Sequence, residues 1–258
     1  MAVLTKVSAL DKKLVKLREL MARASAEQLA DYSYRLDVSW IYHDAAIEGI
    51  VYEPAELQAA LHEGVSSDSS LIPVYDEIRC AKASIDLVRE MAKAKELEIT
   101  LDTIRQLYLT LSPADAEGGG PKYRKDMPLH RQYFHEIAQP DKIATGMKQA
   151  VQWIGNQEGR TGIHLVRYAS KAHYKILQVF PYNKHSGRIA RLIMNMILLH
   201  AGYPPVILHA TDRQGYYDAL RQGPDRVSTV VRTALMNDLT STIRFFSRLL
   251  GLPDPGVQ

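Results

Sequence analysis

The segment from Phe180 to Leu199, FPYNKHSGRIARLIMNMILL, decides the expected fold of this chain. Its first half is a polar loop that leads into a helix through Ser186 and Gly187. Because the first N–H groups of a helix have no partner inside the helix, they attract anions. Arg188 and Arg191 lie on the first turn, so the segment predicts an anion or phosphate site. Apolar side chains follow at helical spacing and predict a buried helix, at Ile189, Leu192, Ile193, Met196 and Leu199.

Length and composition indicate a globular protein. The chain has 258 residues, a net charge of +3 and no run of lysine or arginine, which argues against nucleic-acid binding. Its single cysteine, Cys80, excludes an internal disulfide framework and a zinc site built from cysteines. The N-terminus becomes charged too early for a secretory signal, and no apolar run reaches about 18 residues. We therefore expect a cytoplasmic protein that binds neither nucleic acid nor membrane.

Helical spacing dominates the rest of the chain. Gly49 is expected to end one helix and Thr100 to begin another as its N-cap. Between Ser112 and Gln139 the helical period is lost, and we expect an irregular loop with one short hairpin at Met127–Phe134. The prediction is one all-α domain of nine or ten helices, with an N-terminal helical region at residues 1–62 and the main domain at 71–250. Helices are predicted near 10–21, 26–47, 55–62, 73–88, 100–111, 143–154, 163–179, 188–200, 212–220 and 227–250.

Residues 180–191 resemble the signature HPFx(D/E)GNGRxxR of the Fic/Doc family. The sequence that follows, up to Leu220, is similar to the family's continuation. Residues 120–124 resemble the entry to the family's target-binding flap, and residues 46–49 match its autoinhibitory motif, (S/T)xxxE(G/N), with Asp44 at the Ser/Thr position. The resemblance covers most of the chain from residue 35 to 250. It implies the Fic fold, a helical bundle around a central helix hairpin, with a short β-hairpin flap.

Most members of this family transfer AMP from ATP to a hydroxyl of a target protein. The resemblance implies that the signature His deprotonates that hydroxyl, the acidic residue holds Mg²⁺, and the glycine-rich turn with Arg188 holds the phosphates. It also implies that Arg191 binds the γ-phosphate unless Glu48, followed by Gly49, pairs with Arg191 and inhibits transfer. A protein partner is expected at the flap, through Lys122, Tyr123, Arg124, Met127 and Leu129.

The chain departs from the signature at four positions, so no intact catalytic residue is expected. Phe180 replaces the base, and a phenyl ring cannot supply the roughly 10²–10⁴-fold that a general base contributes. Lys184 replaces the acidic residue; an ammonium repels Mg²⁺ but can contact phosphate directly. His185 and Ser186 replace Gly and Asn, whereas Gly187 is kept. We therefore expect no metal site and no Mg²⁺ requirement.

Three hypotheses follow. The first is a degenerate Fic-fold protein, a pseudoenzyme that regulates a partner and holds an anion, ATP or another nucleotide in a cationic pocket. The alternative is an active, adenylyltransferase-like enzyme that uses a phosphate-containing donor, with Lys184 and His185 in new roles. The third is a purely structural module in which Arg188 and Arg191 form salt bridges. In each case the arginines need a counter-charge, and Glu48 is expected to face Arg191.

The expected pocket residues are shared by the first two hypotheses. They are Lys184, His185, Ser186, Gly187, Arg188, Arg191, Tyr216 and Tyr217, where the two tyrosines are candidates to flank an adenine and one of them is expected in the core. The sequence leaves open the identity of the protein partner, the ligand and whether the chain forms a homodimer.

Overall fold

A computed structural model describes residues 9–62, 69–128, 135–156 and 164–253. These residues form ten α-helices and no strand, which confirms the all-helical class. The hairpin expected at Met127–Phe134 is not seen: residues 127 and 128 are not in a strand, and 129–134 lie outside the described residues. The helices are α1 (Ala9–Met21), α2 (Ala26–Ile47), α3 (Pro54–Leu61), α4 (Ile72–Ala92), α5 (Leu101–Leu111), α6 (Ile143–Gly155), α7 (Leu165–Val179), α8 (Ser186–His200), α9 (Arg213–Gln222) and α10 (Pro224–Leu249).

Local sequence signals account for several of the helix ends. The Ser25 side chain accepts from the Gln28 N–H in a capping box that begins α2. Thr100 caps α5 in the same way, as predicted. After α2, Gly49 takes a φ of 92°, which glycine adopts without steric cost and which ends the helix as predicted.

The centre of the molecule is α8, which packs against α7 and is flanked by α4, while α10 covers α7. Thirteen of the fifteen α8 residues are buried, so the helix is covered on all sides. One continuous cluster of buried side chains joins residues from all ten helices. Among the described residues, no helix is long and apolar enough to cross a membrane.

Helix α2 is held so that its C-terminal end lies over the start of α8. Near its middle, the buried Asp37 carboxylate binds Arg89 of α4 and lies 3.4 Å from Lys82 Nζ. At its end, the Ile47 carbonyl accepts from Arg213 Nε at 2.9 Å and from the Tyr217 hydroxyl at 3.0 Å. These contacts position the carboxylates of the last α2 turns against α8.

Candidate functional site

A buried phenyl ring lies at position 180, where the resemblance to the Fic/Doc signature would place a histidine. Phe180 caps the end of α7 in the left-handed conformation, with φ 47° and ψ 66°. The residue is 2% exposed. Its N–H donates to the Ile176 carbonyl at 2.8 Å. Few non-glycine residues adopt this backbone conformation, and bulky ones least readily. The Phe180 side chain therefore packs in the core, and it has no atom that can accept a proton.

The loop between α7 and α8 is closed by a serine hydroxyl. Ser186 Oγ accepts from the Tyr182 N–H and donates to the Tyr182 carbonyl, both at 2.8 Å. Before it, His185 has φ 62°, so the chain enters α8 through a second left-handed residue. Lys184 is exposed on the same loop. The loop thus makes a tight turn into α8, although His185 stands where the signature has the smaller glycine.

The imidazole of His185 points to α5. Its Nε2 lies 2.9 Å from Ser112 Oγ, and its ring stands edge-on to Tyr108 at 6.0 Å between centroids. Burial, with the positive charge of Arg188 as the next cause, lowers the pKa of His185 to about 4. At neutral pH the imidazole is therefore uncharged, and its side chain is not one of the cations of the site.

Two buried arginines of α8 are paired with carboxylates from two other helices. Arg191 Nη1 lies 3.0 Å from Glu48 Oε1, as predicted, and Arg191 Nε also binds Asp44. Arg188 Nη2 lies 3.0 Å from Glu77 Oε1 of α4, and its Nε lies 3.7 Å from Asp44. Both arginine side chains are about 5% exposed, so these carboxylates provide the counter-charge that burial requires.

The Glu48 carboxylate also packs directly on the start of α8. A methyl group added at Gly187 would overlap Glu48 Oε1 and would come within 3.1 Å of Arg191 Nη1. Only glycine therefore leaves room for this carboxylate. Glu48 therefore lies beside the first turn of α8, between Gly187 and Arg191.

The two tyrosines of α9 have different roles. Tyr216 is 1% exposed, and its hydroxyl lies 2.9 Å from Nε2 of the fully buried His173, so it belongs to the core. Tyr217 is also buried, but it lines the cavity at the site and holds the end of α2. The sequence offered both as candidates to flank an adenine and expected one of them in the core; Tyr216 is in the core, and Tyr217 lines the cavity.

A cavity of about 720 Å³ lies in front of the α7–α8 loop. Its charged lining comprises Lys184, Arg188, Arg213, Glu48, Asp76, Glu77 and Asp115. Four carboxylates face three cations, so the cavity is less cationic than the sequence predicted. The reason is that α4 and the turn after α5 contribute acidic residues that the signature does not include.

Another cavity, of about 750 Å³, lies between α1, α7 and α10, away from this loop. Among its charged lining residues, Arg167 and Asp225 bind each other at 2.8 Å. It contains none of the residues that the signature predicts, so the cavity at the α7–α8 loop is the candidate site.

Known proteins resemble this chain in sequence. Residues 98–198 match the family model described as Fic/DOC family. The chain belongs to the Fic/DOC family. It is 33% identical over 185 residues to a protein adenylyltransferase Fic of Drosophila virilis, with 70% of this chain and 36% of that protein covered. A protein adenylyltransferase Fic of Culex quinquefasciatus is 31% identical to this chain over 185 residues, with 71% of this chain and 36% of that protein covered. The chain thus spans about a third of the length of these curated relatives.

Solved structures support the Fic fold. A Fic domain containing signaling protein from Bacteroides thetaiotaomicron has a TM-score of 0.79 at 21% identity, and the match covers 95% of this chain and 99% of that one. Fic-1 of C. elegans, residues 134–508, has a TM-score of 0.72 at 23% identity, covering 91% and 70%. Both matches cover more than nine-tenths of this chain.

The residues expected in the Fic flap are placed unequally. Lys122 is exposed, Tyr123 and Met127 are half-buried, and Leu129 lies outside the described residues. Arg124 is 2% exposed. It donates from Nε to the Phe180 carbonyl at 2.7 Å and from its backbone N–H to the Pro181 carbonyl at 2.9 Å. Arg124 therefore anchors this segment to the end of α7 rather than facing a target.

Three residues of the site were not predicted as site residues. Asp44 was noted only as a departure from the inhibitory motif, although its spacing of four from Glu48 places both carboxylates on one helix face. Glu77 and Ser112 carry no comparable signal, because each reaches the site from a helix distant in sequence. Among the described residues, no group of three or more His, Cys, Asp or Glu side chains could hold a metal ion.

Proposed function

We propose that this protein is a nucleotide-dependent transferase of altered chemistry, kept inactive by α2 in the described conformation. The observation that carries this proposal is the cavity of about 720 Å³ at the start of α8, lined by Lys184, His185 and Arg188. A helix N-terminus beside these side chains suits the phosphates of a nucleotide. The names of the relatives, protein adenylyltransferases, support the transferase class over simple binding.

The chemistry assigned to the cavity differs from that of the full signature. In nucleotidyl transfer, the oxygen of an acceptor hydroxyl attacks the α-phosphorus, the bond to pyrophosphate breaks, and the hydroxyl proton must go to a base. Phe180 cannot take this proton, whereas the neutral His185 imidazole, with its pKa near 4, can act as a weak base. Lys184 supplies a positive charge where the signature has a metal-binding acid.

Helix α2 regulates this site in the proposal. Glu48 and Asp44 neutralise Arg191, and Glu48 fills the space next to Gly187. A nucleotide phosphate must displace the Glu48 carboxylate before it can reach Arg191. Removal of this carboxylate is therefore expected to strengthen nucleotide binding.

A second candidate function is a regulatory protein that binds a nucleotide or another anion without transferring it. The burial of Phe180 in the core favours this candidate, because that position cannot regain a base without repacking. The charge reversal at Lys184 supports it as well. Both candidates bind a ligand in the same cavity, but only the transferase transfers a nucleotidyl group.

Labelled nucleotide separates the two candidates. Glu48→Ala protein would be incubated with ATP or another nucleoside triphosphate labelled at the α-phosphate, with and without Mg²⁺, while transfer and pyrophosphate release are measured. Turnover that Lys184→Ala abolishes, and that Asn183→Ala on the same loop retains, supports the transferase. A thermal shift with nucleotide but no turnover supports the regulatory protein. If no nucleotide at millimolar concentration gives turnover or a thermal shift, both candidate functions are contradicted.

A further inference from the structure

Two imidazoles stack where the end of α2 meets the chain ahead of α9. His43 lies on α2, one turn before Glu48, and His209 precedes the turn at Ala210–Asp212. Their ring centroids are 4.2 Å apart, and the ring planes are tilted by 30°. Neutral imidazoles can stack in this way, whereas two imidazolium rings side by side repel each other.

A backbone hydrogen bond requires the neutral form of His43. The Ala210 N–H donates to His43 Nδ1 at 3.2 Å. A ring nitrogen accepts only when it carries no proton, so the proton of the neutral ring is on Nε2. Protonation of His43 turns Nδ1 into a donor that faces another donor, and the hydrogen bond between the two segments is lost.

Asp238 of α10 faces the other ring. His209 Nε2 lies 3.6 Å from Asp238 Oδ1, and Asp238 Oδ2 accepts from the Ile207 N–H at 3.1 Å. Burial raises the pKa of Asp238 to about 6, so at neutral pH the carboxylate is charged and favours a proton on His209. Ile207 and His209 both lie outside α2, so neither contact of Asp238 requires α2 to be docked.

Other titratable groups around the two rings lie on α2 itself. Tyr42 stands edge-on to His43, with 5.0 Å between ring centroids. Tyr32, about three turns earlier, is within reach of the Asp238 charge, and Asp44 follows His43 directly and binds to α8. Tyrosine hydroxyls stay neutral between pH 7 and 5, so the proton-dependent charges here belong to the imidazoles and to the α10 carboxylate.

The docked position of α2 disfavours a charge on His43. Burial is the larger cause and His209 the second, and together they lower the pKa of His43 to about 4. When the end of α2 is released, the ring returns to water and to the ordinary value near 6.5. Docking is therefore fully favoured above about pH 6.5 and loses this stabilisation as the pH falls, because the released state binds the proton more readily.

The two rings lie beside the carboxylates that neutralise the arginines of α8. Asp44 follows His43 directly, and Glu48 follows one turn later on the same helix end. Beyond them, two α9 side chains donate to the Ile47 carbonyl at 2.9 and 3.0 Å. Release of this end of α2 therefore moves both carboxylates away from α8.

We propose that His43 and His209 form an acid-sensitive contact, which docks the end of α2 at neutral pH and releases it on acidification. Protonation of His43 removes the acceptor for the Ala210 N–H and, where His209 is protonated as well, sets two like charges side by side. The contact itself needs no nucleotide. Its consequence for activity, through release of Arg191, rests on the proposed function.

Hydrogen exchange of the purified chain at pH 7 and pH 5, without nucleotide, measures the release of α2 once each rate is divided by the intrinsic exchange rate at that pH. We expect the amides of residues 43–48 to open about tenfold more at pH 5, since His43 is only half-buried and the full shift is not realised. His43→Asn keeps an acceptor but takes no proton, so its opening should be equal at both pH values. His62→Asn removes an exposed imidazole packed on Tyr34 of α2, and this matched control should keep the tenfold rise.

Amides of the buried helix α8 distinguish local release from global unfolding. A rise at residues 43–48 without a rise at residues 189–194 supports the proposal. Absence of a rise, an equal rise in both segments, or an equal rise in His43→Asn overturns it. His209→Asn gives a second test, because it removes the neighbouring ring while His43 remains; the rise should become smaller, and an undiminished rise contradicts the role of the two rings together.

Nucleotide binding separates this inference from the function on which its consequence rests. A chain whose α2 is released at pH 5, but that binds no nucleotide at either pH, contradicts the proposed function and leaves the acid-sensitive contact standing. A chain that binds nucleotide while α2 stays equally docked at both pH values contradicts the acid-sensitive contact and leaves the proposed function standing.

Discussion

Glu48 Oε1 lies 3.0 Å from Arg191 Nη1 and fills the space that the missing side chain of Gly187 leaves at the start of α8. The free N–H groups and the partial positive charge of a helix N-terminus favour an anion there. The protein therefore supplies its own anion, from the residue that caps α2, beside the first turn of α8 and next to Arg191.

Replacing Glu48 with Ala should increase nucleotide affinity. The variant removes an internal competitor for Arg191 and opens the space beside Gly187, and we expect binding to tighten about tenfold, or about 1.4 kcal/mol. The measurement is nucleotide titration by calorimetry or by thermal shift. Asp31→Asn is the control, since it also removes a carboxylate of α2, but one in a surface pair with Arg35 at 2.8 Å. Equal affinities in the two variants would contradict the inhibitory role.

Asp44 should matter more for stability than Glu48, because it contacts both buried arginines. Loss of one partner of a buried ion pair typically costs about 3–5 kcal/mol, and Asp44→Asn is expected near this range. Glu48→Gln should cost less, since Arg191 keeps Asp44. Chemical denaturation measures both. Because Asp31 forms only an exposed ion pair, Asp31→Asn should lower the free energy of unfolding by only about 0–1 kcal/mol. An Asp44→Asn cost as small as that would be inconsistent with this account.

Much of the fold could be predicted from the sequence because its signals are local. Apolar spacing, the Thr100 cap and the Gly49 stop depend on neighbours within a few residues, and each agrees with the structure. The contact of Glu48 with Arg191 is long-range, and it was predicted only because the resemblance to the family supplied it.

The details of the site depend on contacts between distant segments, and spacing does not encode these. Glu77 reaches Arg188 from α4, and Ser112 reaches His185 from the end of α5. Arg124 was expected at the surface of a flap, but its guanidinium is buried because the carbonyls at the end of α7 lack helical partners and accept from it. The charge of the cavity was overestimated for the same reason, since the signature names cations and not their partners.

Introducing an imidazole at position 180 tests whether the missing base limits transfer. In the Glu48→Ala background, Phe180→His, after the core repacks around the smaller imidazole, should raise the rate of label transfer by about 10²-fold, the lower end of the usual contribution of a general base. Histidine also tolerates a left-handed backbone better than phenylalanine. Phe180→Leu is the matched control, because it repacks the same position without a base and should give no gain. A folded Phe180→His protein with an unchanged rate would show that another step limits the reaction.

The buried His173 should make stability depend on pH. Burial, followed by the charge of Arg191, lowers the pKa of His173 to about 3, whereas the unfolded chain has the ordinary value near 6.5. Between these values the unfolded state binds more protons, so the free energy of unfolding rises with pH; this contribution is complete above about pH 6.5 and is lost as the pH falls. One such group changes the free energy of unfolding by up to about 1.4 kcal/mol per pH unit.

In His173→Gln the unfolded chain binds one proton fewer, so the free energy of unfolding should depend less on pH. The glutamine keeps an acceptor near the Tyr216 hydroxyl, which lies 2.9 Å from His173 Nε2. Denaturation of both proteins between pH 7 and 5 measures the two slopes, and the variant's slope should be shallower. His62→Gln, at an exposed position after α3, serves as the control for loss of a histidine. Identical slopes in His173→Gln and the unmodified chain would mean that His173 is not the buried neutral group that its burial and its contact with Tyr216 predict.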